Sequence, residues 1–152
     1  MQLLENEGNG MTNQEQVKPL AERIYSRLDK LLAVFGGLKE ILITPNFHTT
    51  LKARGFMNLS IEVLRPGVIA MAHNYIQNGD VMADPDMEIE INYLNKSAQA
   101  KTFQQDGLGV FQSTWDNANL SLELKLNNFL YFWLGNIQDQ GFKADPSHGS
   151  KE

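Results

Sequence analysis

A chain of 152 residues is the size of one domain, with a core large enough to fold without covalent staples. Its lack of cysteine excludes disulfides, a thiol nucleophile and Cys-ligated zinc or iron–sulfur sites, leaving His and carboxylates as the metal ligands on offer. A formal net charge of −5 with a pI near 5.2 works against nonspecific binding to nucleic acid, which needs a basic face to release counterions; it is compatible with a basic protein surface as partner.

The segment Met1–Glu7 is acidic at its start and carries no apolar h-region, and nowhere do about 18 apolar residues run together, so a cytoplasmic protein with no membrane contact is expected. Residues 1–16 are polar, contain Gly8 and Gly10, and read as a flexible leader. Pro19 suits the first turn of a helix, where its missing N–H is harmless. Val17, Leu20, Ala21, Ile24, Leu28, Leu31, Leu32 and Phe35 then follow at helical spacing, which predicts an amphipathic helix stopped by Gly36–Gly37. Residues 38–57 give no assignment: a short apolar group, Leu38 and Ile41 to Ile43, is followed by the break Thr44-Pro45-Asn46.

From Leu59 the period changes to two. Leu59, Ile61 and Val63 alternate with Ser60 and Glu62, and the turn Arg65-Pro66-Gly67 leads into a second strand from Val68 to Gln77. Asn78-Gly79 is the strongest hairpin signal of the chain, because both central residues of a type I′ turn need positive φ. Beyond Pro85, a strand start or edge, Met87, Ile89, Ile91 and Tyr93 alternate with Asp86, Glu88, Glu90 and Asn92, so one face is core and the other acidic. Asp106-Gly107 is a second two-residue hairpin signal between Ala98–Gln105 and Leu108–Trp115. A tight turn there sets Thr102 against Phe111 and Ala98 against Trp115 on the core side, and Lys101 against Gln112 on the wet side near Glu90. It leaves Phe103 and Val110 as exceptions on the Lys101 side.

Leu122, Leu126, Phe129, Leu130, Trp133, Leu134 and Ile137 form one stripe of a last helix ended by Gly141; Leu120 to Leu126 also alternates, so its start reads equally as a strand. The tail 143–152 is expected to be disordered. The order helix, meander, helix implies one α+β domain over residues 17–142, an antiparallel β-meander of about five strands covered on one face by the N-terminal and C-terminal helices.

The clustered carboxylates are the candidate site: Asp80, Asp84, Asp86, Glu88 and Glu90, with His73 across the Asn78-Gly79 hairpin from Asp84. Asp84, Asp86 and Glu88 are the metal ligands if a divalent cation binds, since hard cations want several carboxylate oxygens from a short segment. They do not make an EF-hand: Ile89 stands where that loop needs glycine, and no glutamate occupies its twelfth position. A solvated strand face is the simpler reading of acids at strand period, so no cofactor is expected. Pro85-Asp86 followed by Gln99-Ala100-Lys101 imitates a metal-dependent nuclease pattern, but Gln99 stands where a second carboxylate belongs. No GxSxG, HExxH or GK[ST] loop is present.

Asn78-Gly79-Asp80-x-Met82-x-Asp84-Pro85-x-Met87-Glu88, then Gln105-Asp106-x-x-Gly109-Val110-Phe111-Gln112, then Phe129-x-x-x-Trp133-Leu134-x-Asn136-Ile137-x-x-Gln140-Gly141-Phe142 resembles a family of small bacterial proteins common on plasmids and conjugative elements, a domain of unknown function. The resemblance spans about residues 59–142 and implies a bacterial, mobile-element setting without supplying an activity. With it, the expected function is that of a non-enzymatic accessory protein that binds another protein, a host-defence component being one candidate. The alternative is a metal-dependent enzyme acting on nucleic acid through Asp84, Asp86, Glu88 or Glu90 and Lys101.

Overall fold

The structure, a computed structural model, describes residues 12–144. Helix α1 (Asn13–Leu31) starts inside the stretch read as leader, because Thr12 and Glu15 form a reciprocal capping box: the Glu15 N–H donates to Thr12 Oγ1 at 3.2 Å and the Thr12 N–H to Glu15 Oε1 at 3.0 Å. Residues 1–11 lie outside the described residues. Pro19 is therefore the seventh residue of the helix and not in its first turn, and Glu15 C=O goes without the bond a residue-19 N–H would give. The helix ends through a 3₁₀ turn (Ala33–Phe35) and the positive-φ pair Gly36 and Gly37. A Cβ on Gly37 would lie 2.6 Å from Asp29 Oδ1, the atom that accepts the Leu38 N–H at 2.8 Å and so holds the start of α2 (Gly37–Ile43) against α1.

The sheet is larger than the expected five strands. Among the described residues it has eight, β1 (His48–Lys52), β2 (Asn58–Arg65), β3 (Val68–Gln77), β4 (Asp80–Asn92), β5 (Ser97–Ala100), β6 (Thr102–Gln105), β7 (Val110–Ser113) and β8 (Lys143–Ala144), in the order β7-β6-β4-β3-β2-β1-β8 with β5 also on β4. All pairs are antiparallel. Two of the extra strands come from segments without an expected strand: β1 lies in the unassigned 38–57, and β8 opens the stretch read as disordered tail by pairing with β1. Residues 145–152 lie outside the described residues. The third arises because Ala98–Gln105 is split at Lys101. Ala100 pairs with Ile89 whereas Gln104 pairs with Asp86, so one extra residue is inserted at a bulge.

That bulge, together with the wider turn after β6, corrects the expected register. Asp106–Leu108 forms a 3₁₀ turn closed by Gly109 in the left-handed region, and Gln105 pairs with Val110, not Leu108. Phe111 consequently sits opposite Gln104 on the outer side, 64% exposed, and Thr102 faces Ser113. Phe103, expected on the wet face, turns toward the helices and meets Phe129 edge-on at 5.1 Å.

The last element is helical from its first residue: α3 (Leu120–Gln140) begins where Asn119 Oδ1 accepts the Leu122 N–H at 3.0 Å and ends at Gly141, φ 80°. α1 and α3 lie on one face of the sheet. Ile24, Leu28, Leu130, Trp133, Leu134 and Ile137 meet Leu59, Ile61, Ile69, Met71, Met87 and Ile89 in one buried cluster, each large aliphatic contributing about 1.5–3 kcal/mol. Buried polar groups accompany this core, and one of them ties a helix to the sheet. Asn127 is 1% exposed; its Oδ1 accepts the Ala100 N–H at 2.7 Å and its Nδ2 donates to Glu123 C=O at 2.8 Å, so α3 is hydrogen-bonded to the edge of β5.

Candidate functional site

The alternation of β4 puts Met87, Ile89 and Ile91 in the core and Asp86, Glu88 and Glu90 on the open outer face of the sheet. Register then brings side chains from other strands beside them. Asp86 faces Ala72 on β3 and Gln104 on β6, and Glu62 of β2 faces Ala70, the neighbour of Glu88. Burial, then Glu88, Asp106 and Glu62 in that order of influence, push the Asp86 carboxyl above the ordinary carboxylate range. Asp106 is held the other way, below the ordinary range, by Gln104 Nε2 at 2.7 Å and the Ala83 N–H at 2.8 Å, both donating to its carboxylate.

At the β5 end of the face the acids are compensated. Trp115 Nε1 donates to Glu88 Oε1 at 2.6 Å, and both the Arg65 guanidinium (5.0 Å) and Lys101 Nζ (5.1 Å) approach the Trp115 ring. Arg65 stands 4.0 Å from Glu88 and Lys101 stands 3.8 Å from Glu90, the pair expected from the strand order. Trp115, placed on the core side by the tight-turn register, is thus a clamp on the outer face. Lys101 is engaged with an indole ring and a carboxylate, which is a different arrangement from a lysine beside a metal-held water.

The acidic stretch is not one site. Asn78 (φ 53°) and Gly79 (φ 86°) close the hairpin as expected, with Gln77 opposite Asp80, so exposed Asp80 sits at its tip. The ladder shifts between Ala72 and Asn74, and His73 faces a bulge at Asp84–Pro85 instead of a single paired residue. The peptide bond Asp84–Pro85 is cis. His73 packs toward the helices, 5.4 Å from the rings of both Trp133 and Phe142, and its Nδ1 lies 3.4 Å from Asn58 C=O. Its pKa is lowered by burial, against the opposing pull of the Asn58 and Met57 carbonyls and of the Asp84 charge. Asp84 therefore acts on the helix-side His73, away from Asp86 and Glu88. Among the described residues, no group of three or more His, Asp or Glu side chains is arranged to hold a metal ion.

The sequence reading did not single out Glu62, Arg65, Asp106 or Trp115 as parts of this face. All four reach it from other strands or turns, and the Asp106-Gly107 dipeptide pointed to a turn without showing that its carboxylate would bind Ala83 N–H.

Among the described residues no helix is long and apolar enough to cross a membrane. No curated protein and no solved structure matches the chain. Residues 26–143 match the family model of a domain of unknown function (DUF6908), which covers the acidic face, α2, α3 and the last turns of α1, and the chain belongs to that family.

Proposed function

We propose that this chain is a non-enzymatic accessory protein of a bacterial mobile element that holds a basic surface of another protein against the outer sheet face, with a host-defence component as the candidate partner. The observation that carries this reading is the environment of Asp86, a half-buried carboxylate beside Glu88, Asp106 and Glu62. Among the described residues no ion pair joins Asp86, Glu62 or Asp106 to a cation, whereas Glu88 and Glu90 have Arg65 and Lys101. A lysine or arginine from a partner would turn that mutual repulsion into charge-assisted hydrogen bonds.

The surroundings suit an interface. Ile76 and Val81 form an exposed cross-strand pair, each 68% exposed, and strand alternation from Asn74 and Ala83 puts them on the outer side, as it does Phe111. Exposed apolar residues bordering a charged centre are the mixture that protein interfaces use. The mobile-element setting is supported by the resemblance of the three motif stretches, and the non-enzymatic reading by a sequence in which no catalytic motif is complete. No cofactor enters it.

The test uses the full chain as bait in a bacterial host lysate beside a Glu62→Lys/Asp86→Lys variant. These two positions are preferable to Glu88 and Glu90, whose reversal would also break the Trp115 and Lys101 contacts. A specific partner with a basic surface, released by salt and lost on charge reversal, is expected. Recovery of no partner, or equal recovery by the reversed variant, rejects the face.

A further inference from the structure

A local cluster of cations lies on the helical side of the molecule. Arg23, Arg27 and Lys30 recur at helical spacing along one side of α1 and border a groove against α3, closed on the far wall by Tyr131 and Gln138, with a volume of about 320 Å³. Arg27, Lys30 and Gln138 also line a smaller adjoining recess of about 170 Å³, to which Leu31, Leu134 and Phe142 contribute. No carboxylate lines either part. Among the described residues no ion pair neutralises any of the three cations, in a chain whose formal net charge is −5.

Arg27 is the preorganised member. Its Nη1 donates to Tyr131 C=O at 2.8 Å, and its guanidinium lies 3.8 Å from the centre of the Tyr131 ring. Gly135 leaves room for it, since a Cβ there would come within 2.8 Å of Nη1. These contacts lock one donor and one face of the guanidinium while leaving further N–H groups of its fork. Arg23 approaches the same ring at 5.6 Å, so the cations are collected around one aromatic wall.

We propose that this groove binds a small molecule bearing adjacent phosphates, with Arg23, Arg27 and Lys30 on the phosphates, Ser26 as a hydroxyl donor, and the Leu31–Leu134–Phe142 recess taking an apolar part of the ligand. The groove is at the lower end of the size range of small-ligand sites. A guanidinium fork, an ammonium and a hydroxyl are the donor set that phosphate oxygens favour. The site is on the side of the sheet opposite the acidic face and stands independently of the function proposed above.

The experiment is a backbone-amide NMR titration of the full chain with inorganic pyrophosphate and, separately, with a nucleoside diphosphate, at about 50 mM salt so that screening stays weak. Saturable binding with Kd about 1 mM or tighter is expected, with shifts confined to the Arg23–Lys30 and Tyr131–Gln138 segments. Tighter binding of the nucleoside diphosphate than of pyrophosphate supports the whole proposal; equal binding supports the phosphate site and overturns the assignment of the recess. The variant Arg23→Gln/Lys30→Gln changes two exposed positions that the fold does not need, and it is expected to weaken binding about tenfold or more with an unchanged melting temperature. No saturable shift up to about 10 mM, shifts elsewhere, or undiminished binding by the variant overturns the proposal. So does a short oligothymidine that binds through these residues where pyrophosphate does not, which would make the groove a nucleic-acid contact.

Discussion

The two faces of the central sheet are built from alternate residues of the same strands, yet they answer to different constraints. On β4, Met87 and Ile89 are fully buried beneath α1 and α3, whereas Asp86, Glu88 and Glu90, their immediate neighbours, stand on the open side. The inner face is mainly apolar, with Asn127, Thr49 and His73 as polar members, and its chemistry is mostly volume and fit. The outer face is a set of charges, compensated near Trp115 and uncompensated near Asp86. Stability should therefore concentrate on one face and recognition on the other, and single substitutions can separate the two.

The largest effect belongs to the inner face. Ile89→Ala removes a fully buried side chain from the middle of the cluster and is expected to lower unfolding stability by about 3 kcal/mol, read from urea denaturation. Glu90→Ala, one residue along, gives up a partly exposed ion pair with Lys101 and should stay within about 0.5 kcal/mol. Similar costs at the two positions would erase the distinction between the faces.

A smaller loss is expected where polarity enters the core. Asn127→Leu keeps the branched shape of the side chain, at a somewhat larger volume, but leaves the Ala100 N–H without its acceptor and Glu123 C=O without the side-chain donor. The expected cost is about 2 kcal/mol, most of it from the buried N–H, and amide hydrogen exchange at Ala100 should accelerate more than the global change requires. A neutral result would mean that packing alone holds α3 to β5.

How much of this was legible follows from how local each signal is. The strand Met87–Tyr93 and the Asn78-Gly79 turn were readable because period-two alternation and a demand for positive φ are written into adjacent residues. The bulges at Lys101 and at Asp84–Pro85 left no such mark, and one inserted residue inverts every later side chain. That is why Phe111 and Trp115 were expected inside and Phe103 outside. Strand β1 escaped notice because its five residues are held by pairing to β2 and β8, contacts that sequence spacing does not encode. The acids of the candidate site were visible, but their company was not: Glu62, Arg65, Asp106 and Trp115 gather only through the register, and the same register carries His73 to the opposite face.

The smallest effect has the opposite sign. Because burial and the charges of Glu88, Asp106 and Glu62 raise the Asp86 pKa above its ordinary 3.8, the ionised carboxylate is less favourable in the fold than in the unfolded chain. The stability it allows is complete below that ordinary value and is lost as pH rises through the higher folded value. Asp86→Asn has no charge to lose. At neutral pH the variant is expected to be more stable than the wild type by about 0.2–1 kcal/mol, the scale of a like-charge contact across strands, and the gain should vanish on acidification below the ordinary value. Thermal melts at neutral and acidic pH measure it. Joined to the partner assay, the same variant should bind less well while folding better, the pattern of a residue kept at a cost to stability because recognition needs it. A variant that binds normally and folds better would leave the Asp86 charge without a part in recognition, and one that folds worse would make the acidic face a structural feature of the sheet.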